Sequence, residues 1–128
     1  MSTHINDAAS NLTPALPVSI TPQSLSASGA GTALDLGAGD GGCFAVLAVG
    51  AVTGTDPTLD VKIQESTASA GTYTDISGAT FTQVIAATKG EVISFRRSKR
   101  YVRAYATLGG TTPTFLASVT LHQQKKSV

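Results

Sequence analysis

The side chains best able to bind a partner lie in one basic and aromatic run, FRRSKRYVRAY, which begins at Phe95. Clustered arginine and lysine can contact phosphates and tyrosine can stack on bases, as in a nucleic-acid surface. Protein interfaces also favour arginine and tyrosine, and the chain as a whole is close to neutral. We therefore favour a protein-contact surface over a nucleic-acid surface, with a solvated loop and strand edge as the alternative. The candidate contact residues are Arg96, Arg97, Lys99, Arg100, Tyr101, Arg103 and Tyr105.

A glycine-rich stretch, LDLGAGDGG from Leu34 to Gly42, could let the backbone approach a cofactor. Its alternate glycines and Asp35 resemble the first motif of class I methyltransferases. That motif needs a helix directly after the glycines, whereas the next segment, Phe44–Val52, contains β-branched residues and Gly50 and predicts a strand. We interpret the stretch as a loop between strands and expect the protein not to be an enzyme.

No spacing of ligands in the sequence is typical of a metal site, because no HxxxH, HExxH or CxxC pattern occurs. His4 and His122 stand near opposite ends of the chain, and Asp56 and Asp60 supply too few oxygens for a calcium loop. The single cysteine, Cys43, has no base near it in sequence and is interpreted as a small buried side chain. We expect no catalytic residue, metal or cofactor.

The elements that must position these residues are strands. In the segment that begins at Leu59, apolar Leu59, Val61 and Ile63 alternate with polar residues, which predicts a strand with one buried face. Two further strands are predicted over Thr72–Ile76 and Thr80–Val84, separated by a turn at Ser77-Gly78.

Other segments repeat this pattern. Phe44–Val52 is apolar on both faces, so the strand is predicted to be central or covered on its second side by a partner. Tyr101–Leu108 alternates strictly, with its even-numbered residues apolar. Turns are predicted at Thr53–Thr58 and at Gly109-Gly110. Eight to ten short strands with frequent turns are typical of an all-β sandwich or barrel.

The length of the chain and its charge distribution limit the number of domains and the kind of partner. The 128 residues fit one domain, and the longest apolar run is too short to cross a membrane as a helix. All eight acidic residues and two lysines lie in residues 1–95, while seven basic residues lie in 96–128. This asymmetry indicates an oriented partner. Residues 1–16 are predicted to form a flexible N-terminal arm, either disordered or ordered on a neighbouring subunit, and 125–128 a basic C-terminal tail.

The segments LDVKIQES, TYTDISGATFTQV, RYVRAYATLGGTTPTF and SVTLHQQ resemble small virion proteins of tailed phages, in particular the cement or decoration proteins of icosahedral heads. The resemblance covers roughly residues 17–124. It implies a single-domain antiparallel β-sandwich, jelly-roll-like, on the capsid exterior of the virion, made in the host cytoplasm.

The implied partners are the major capsid protein and further copies of the chain, with a homo-oligomeric dimer favoured over a trimer. The implied role is to stabilise contacts between capsid subunits. An alternative is a carbohydrate- or receptor-binding module of a phage tail or fibre. The absence of tryptophan and the presence of only three tyrosines count against that alternative, since such modules display exposed aromatic rings.

Overall fold

The computed structural model describes residues 12–13, 18–37 and 42–124. These residues form strands and loops and contain no helix. The predicted tail, 125–128, and most of the predicted arm, 1–16, lie outside the described residues. The strands are β1 (Leu12–Thr13), β2 (Val18–Leu25), β3 (Gly29–Ala30), β4 (Leu34–Asp35), β5 (Gly42–Ser66), β6 (Thr74–Thr80), β7 (Lys89–Arg96) and β8 (Tyr101–Gln124).

All eight strands belong to one antiparallel sheet, which confirms the predicted all-β class. Strands β5 and β8 pair along nearly their whole length, from Cys43 opposite Gln123 to Ser66 opposite Tyr101. The short strands β1 to β4 pair with the other edge of β8, and β6 and β7 pair with the other edge of β5. Strand β5 is therefore central, which is one of the two explanations predicted for its apolar faces. The part of the chain that the structure describes contains no helix that could cross a membrane.

Three predicted turns are wrong, because the chain continues through them as strand. Residues 53–58 lie inside β5, residues 109–110 inside β8, and residues 77–78 inside β6. Glycines at all three places have positive φ. The β5–β8 register shifts at the first two places, and the β5–β6 register shifts at the third. The physical reason is that a β-bulge and a tight turn need the same left-handed backbone, so glycine-rich sequence is compatible with both. Of the predicted strand Thr80–Val84, Thr80 is the last residue of β6, and Val84 forms an isolated bridge with Leu59.

The core consists of the alternating apolar residues of both long strands, as predicted. In β5, Leu59, Val61 and Ile63 are buried, and in β8 the even-numbered apolar residues 102–106 are buried. Beyond the bulge the buried positions of β8 become odd-numbered, from Phe115 to Leu121. Both halves of the sheet contribute to one contiguous hydrophobic cluster, so the bulges bend the sheet around a shared core.

Ser19 links the two halves of the bent sheet. It lies in β2, next to the second half of β8, yet its hydroxyl accepts a hydrogen bond from the Ala104 backbone N–H in the first half at 3.0 Å. The same hydroxyl donates to the Thr32 carbonyl at 2.8 Å. The backbone of Gly31 lies so close to Ser19 that a Cβ at position 31 would stand 2.5 Å from the Ser19 carbonyl oxygen. The link therefore requires a residue without a side chain at position 31.

We expect Gly31→Ala to lower the free energy of unfolding by about 1–3 kcal/mol, because the added methyl group overlaps Ser19 and Ile20. Gly29→Ala is the matched control, since a Cβ at position 29 meets no atom within 4 Å. Its stability should change by less than about 1 kcal/mol. Urea unfolding of both variants measures the difference. Equal effects would contradict the close approach of the two halves at Ser19.

Candidate protein-contact surface

The predicted contact residues of β8 lie on the solvent side of one half of the sheet. Tyr101, Arg103 and Tyr105 point away from the core, because Val102 and Ala104 between them are fully buried. The β5–β8 register sets Tyr105 opposite Lys62 and Arg103 opposite Gln64. We call this face, with the adjoining loop 97–100, the Arg–Tyr surface. Its side chains are Asp35, Lys62, Gln64, Glu65, Tyr73, Asp75, Arg97, Lys99, Arg100, Tyr101, Arg103 and Tyr105.

Arg103 stands at the centre of a connected network. Its Nε donates to Gln64 Oε1 at 2.9 Å, and its guanidinium lies 3.9 Å from the centroid of the Tyr73 ring. Gln64 in turn donates to Asp75 at 3.0 Å, although only 9% of Gln64 is exposed. A stacked and hydrogen-bonded guanidinium loses little further freedom on binding, so Arg103 is held ready for a partner. Burial raises the pKa of Tyr73, which keeps its phenol protonated.

Lys62 and Asp75 extend this network along β5. The Lys62 ammonium contacts Asp75 at 3.0 Å and lies 5.7 Å from the centroid of the Tyr105 ring. Hydrogen bonds from Gln64 and Lys62 hold the pKa of Asp75 below its usual value. Two cation–π contacts therefore lie side by side, one between Lys62 and Tyr105 and one between Arg103 and Tyr73.

Arg100 forms the other end of the surface. Its Nε and Nη2 donate to the two carboxylate oxygens of Asp35 at 2.7 and 2.8 Å. The guanidinium also lies 5.5 Å from the centroid of the Tyr101 ring. The hydrogen bond from Arg100 is the main cause of a lowered pKa at Asp35. Both side chains of the pair are about half exposed, so the bidentate bond orients the guanidinium while leaving it accessible.

Arg97 has a different, internal role. Its guanidinium donates to the carbonyls of Leu36, Gly37 and Lys99 at 3.0–3.2 Å. Its Nε also donates to Oε1 of Gln123, whose side chain is completely buried. The Arg97 side chain thus joins the loop before β8 to the end of β8, and its donors are already used within the chain.

The carboxylate of Glu65 fixes the loop 97–100 through hydrogen bonds. One carboxylate oxygen accepts from the backbone N–H groups of Ser98 and Lys99, at 2.8 and 3.2 Å, and the other accepts from the Ser98 hydroxyl. Lys99 Nζ reaches Thr74 Oγ1 at 3.3 Å. Arg96 lies apart, at the end of β7 opposite Gly42, with an exposed side chain.

The structure thus brings together Lys99, Arg100, Tyr101, Arg103 and Tyr105 as candidates for contact and gives Arg97 a structural role. Six side chains of the surface were missed by the sequence analysis as contact candidates: Asp35, Lys62, Gln64, Glu65, Tyr73 and Asp75. The outward alternation of Lys62 and Gln64 could have indicated the two strand residues. The pairing of β8 with both β4 and β5 could not be read from spacing.

Within residues 12–13, 18–37 and 42–124, no cluster of three or more histidine, cysteine or acidic side chains could hold a metal ion. Burial raises the pKa of the Cys43 thiol, which disfavours the nucleophilic thiolate. From Gly42 the chain forms strand β5, where the methyltransferase motif would need a helix.

No protein-family model matches the chain, and a search of curated proteins finds no match to it.

We expect Arg97→Ala to lower the free energy of unfolding by about 1–3 kcal/mol, because it leaves the buried Gln123 side chain without one of its partners. Arg100→Ala is the control, since it removes an exposed arginine of the same loop whose ion pair is solvated. Its unfolding midpoint should stay close to that of the unchanged protein. Chemical denaturation of both variants distinguishes the two arginines, and a greater loss for Arg100→Ala would contradict their assigned roles.

Proposed function

We propose that this protein is a structural component of a phage particle that binds the outer surface of an icosahedral head and stabilises contacts between major capsid subunits. The observation that carries the proposal is the Arg–Tyr surface, where cations and aromatic rings are fixed in place on a rigid sheet. Arginine and tyrosine supply most of the energy in many protein interfaces. The resemblance of the strand segments to cement proteins supports the same role.

The proposed fold for this role is a jelly-roll-like β-sandwich. Support comes from the shared core of the two sheet halves and from Ser19, which lies on β2 beside the second half of β8 and accepts a hydrogen bond from Ala104 in the first half. A cement protein must withstand load without changing shape, and two sheet layers around one core resist bending. In this fold the Arg–Tyr surface is the outer face of one layer.

The proposed partner surface is acidic. Five cations and three carboxylates make the Arg–Tyr surface positive, and the accessible edges of Arg100 and Arg103 can donate to carboxylates of the capsid subunit. Because both guanidinium groups are held by Asp35 or by Gln64 and Tyr73, binding costs less side-chain entropy than it would for free arginines. Many copies on a lattice would then link neighbouring subunits even if each contact is weak.

The first test is quantitative mass spectrometry of virions from the phage that encodes this chain. We expect a copy number comparable to that of the major capsid protein, because a lattice contact repeats with the subunits. A handful of copies per particle would instead indicate the tail or fibre module, and absence from the particle would overturn the proposal.

The second test measures occupancy on heads that lack this protein. We expect the double variant Arg100→Ala, Arg103→Ala to bind at least about ten-fold more weakly, because each arginine contributes a charge-assisted hydrogen bond. The unchanged protein should also lose affinity as salt is raised. Lys89→Ala, which removes an exposed cation on β7, is the control and should bind normally. Unchanged occupancy of the double variant would remove the Arg–Tyr surface from the contact.

A further inference from the structure

The outer face of the other half of the sheet has an apolar centre that no other described element covers. It is formed by β7, β5 and β8, and its side chains alternate with core residues along each strand. A sheet face in contact with water is normally polar. Here the outward residues of β5, from Phe44 to Ala48, are all apolar. We call this face, with the adjacent outward residues of β7 and β8, the neutral face.

Two large side chains on the neutral face are exposed well beyond the ordinary range for apolar residues. Val92 of β7 is 63% exposed and Leu116 of β8 is 48% exposed. Val46 lies between their strands, opposite both Val92 and Thr120. Large apolar side chains exposed around an apolar strand on a small protein are a feature of interaction sites.

Charge decides which partner fits. Among the described residues, the outward positions between the ends of these three strands carry no charged group, and Lys89 and Arg96 stand at the two ends of β7. His122 stacks on Phe44 with 4.7 Å between ring centroids, and burial lowers the pKa of its imidazole, so it is neutral at neutral pH. In a two-fold contact every group meets the same patch on the other copy. The Arg–Tyr surface would repel itself in such a contact, whereas the neutral face would not.

The shape of the neutral face is compatible with a two-fold contact. Leu116 stands beside a depression of about 310 Å³ lined by Pro22, Ala48, Gly50 and Ser118. The depression exists because Ala48 and Gly50 carry little or no side chain where their neighbours on β5 carry valine and phenylalanine. A projection beside a depression is self-complementary about a two-fold axis, since each leucine can enter the depression of the other copy.

We propose that the neutral face binds the neutral face of a second copy of this chain, giving a two-fold dimer in which two sheets pack face to face. Sheets packed in this way lie about 10 Å apart and interdigitate their side chains. The dimer leaves both Arg–Tyr surfaces on the outside, free to bind other partners. The inference assigns a surface to the contact between copies and is tested on the isolated protein, so it and the proposed function can fail independently.

The test is sedimentation equilibrium of the purified chain at neutral pH, from about 1 µM to about 1 mM, a range that covers weak and strong dimers. We expect the mass of two chains for the unchanged protein. Val92→Lys and Leu116→Lys each bury two ammonium groups in the dimer and should weaken dimerisation at least about a hundred-fold. The matched control is Ile85→Lys, which removes an equally exposed apolar side chain from a loop outside the three strands, and it should remain dimeric.

Thermal melting of each variant shows whether it folds, and both substituted positions are exposed enough for lysine to reach water in the monomer. If one lysine variant unfolds, Val92→Thr or Leu116→Thr replaces it, with a smaller expected loss of affinity. A monomer at every concentration for the unchanged protein would overturn the inference. A dimer that Val92→Lys and Leu116→Lys leave intact, or a closed ring of three or more chains, would overturn it as well.

Discussion

The antiparallel ladder between β5 and β8 is the constraint on which the rest of the structure depends. These two strands span 25 and 24 residues, and every other strand pairs with one of them. Their irregularities coincide, since Gly54 and Asp56 of β5 lie beside Gly110 and Thr112 of β8, all with positive φ. A Cβ at Gly54 would stand 2.8 Å from the Thr112 carbonyl oxygen, and one at Gly110 would stand 2.5 Å from that of Asp56. The two backbones therefore bend together, at a point where only glycine permits the approach.

The bend divides the outside of the sheet into two faces of different chemistry. On one side of it, β5 alternates core residues with Lys62 and Gln64, and β8 alternates them with arginine and tyrosine. On the other side, β5 alternates core residues with Phe44 and Val46. Acidic and basic residues that are far apart in the sequence thus meet on the first face, as in the pair of Asp35 with Arg100. Because the same two strands carry both faces, the distance between the Arg–Tyr surface and the neutral face is set by the ladder, and neither can move without breaking its hydrogen bonds.

Alternation was enough to predict the all-β class, the buried face of Leu59 to Ile63, and the outward direction of Tyr101, Arg103 and Tyr105. Local chemistry was not enough to separate a bulge from a turn, because Gly54 and Gly110 suit either conformation and the choice depends on a strand some fifty residues away. For the same reason the partners of the arginines could not be predicted. Asp35 meets Arg100, and Gln64 meets Arg103, only through long-range strand register. Nothing in the spacing of Arg97 and Arg100 indicated that one faces inward to Gln123 and the other outward.

The internal partners of the arginines bear on how the Arg–Tyr surface can recognise a protein. A guanidinium that is free in solution samples many rotamers and offers its charge to any anion, whereas one held by Asp35 or stacked on Tyr73 presents fixed donors. The net positive charge of such a surface is lower, because three carboxylates offset five cations. Its fixed donors, however, select partners by the position of their acceptors. Under the proposed function that exchange is favourable, since a protein present in many copies on a repeated lattice gains total strength from multiplicity and needs each contact mainly to be correctly placed.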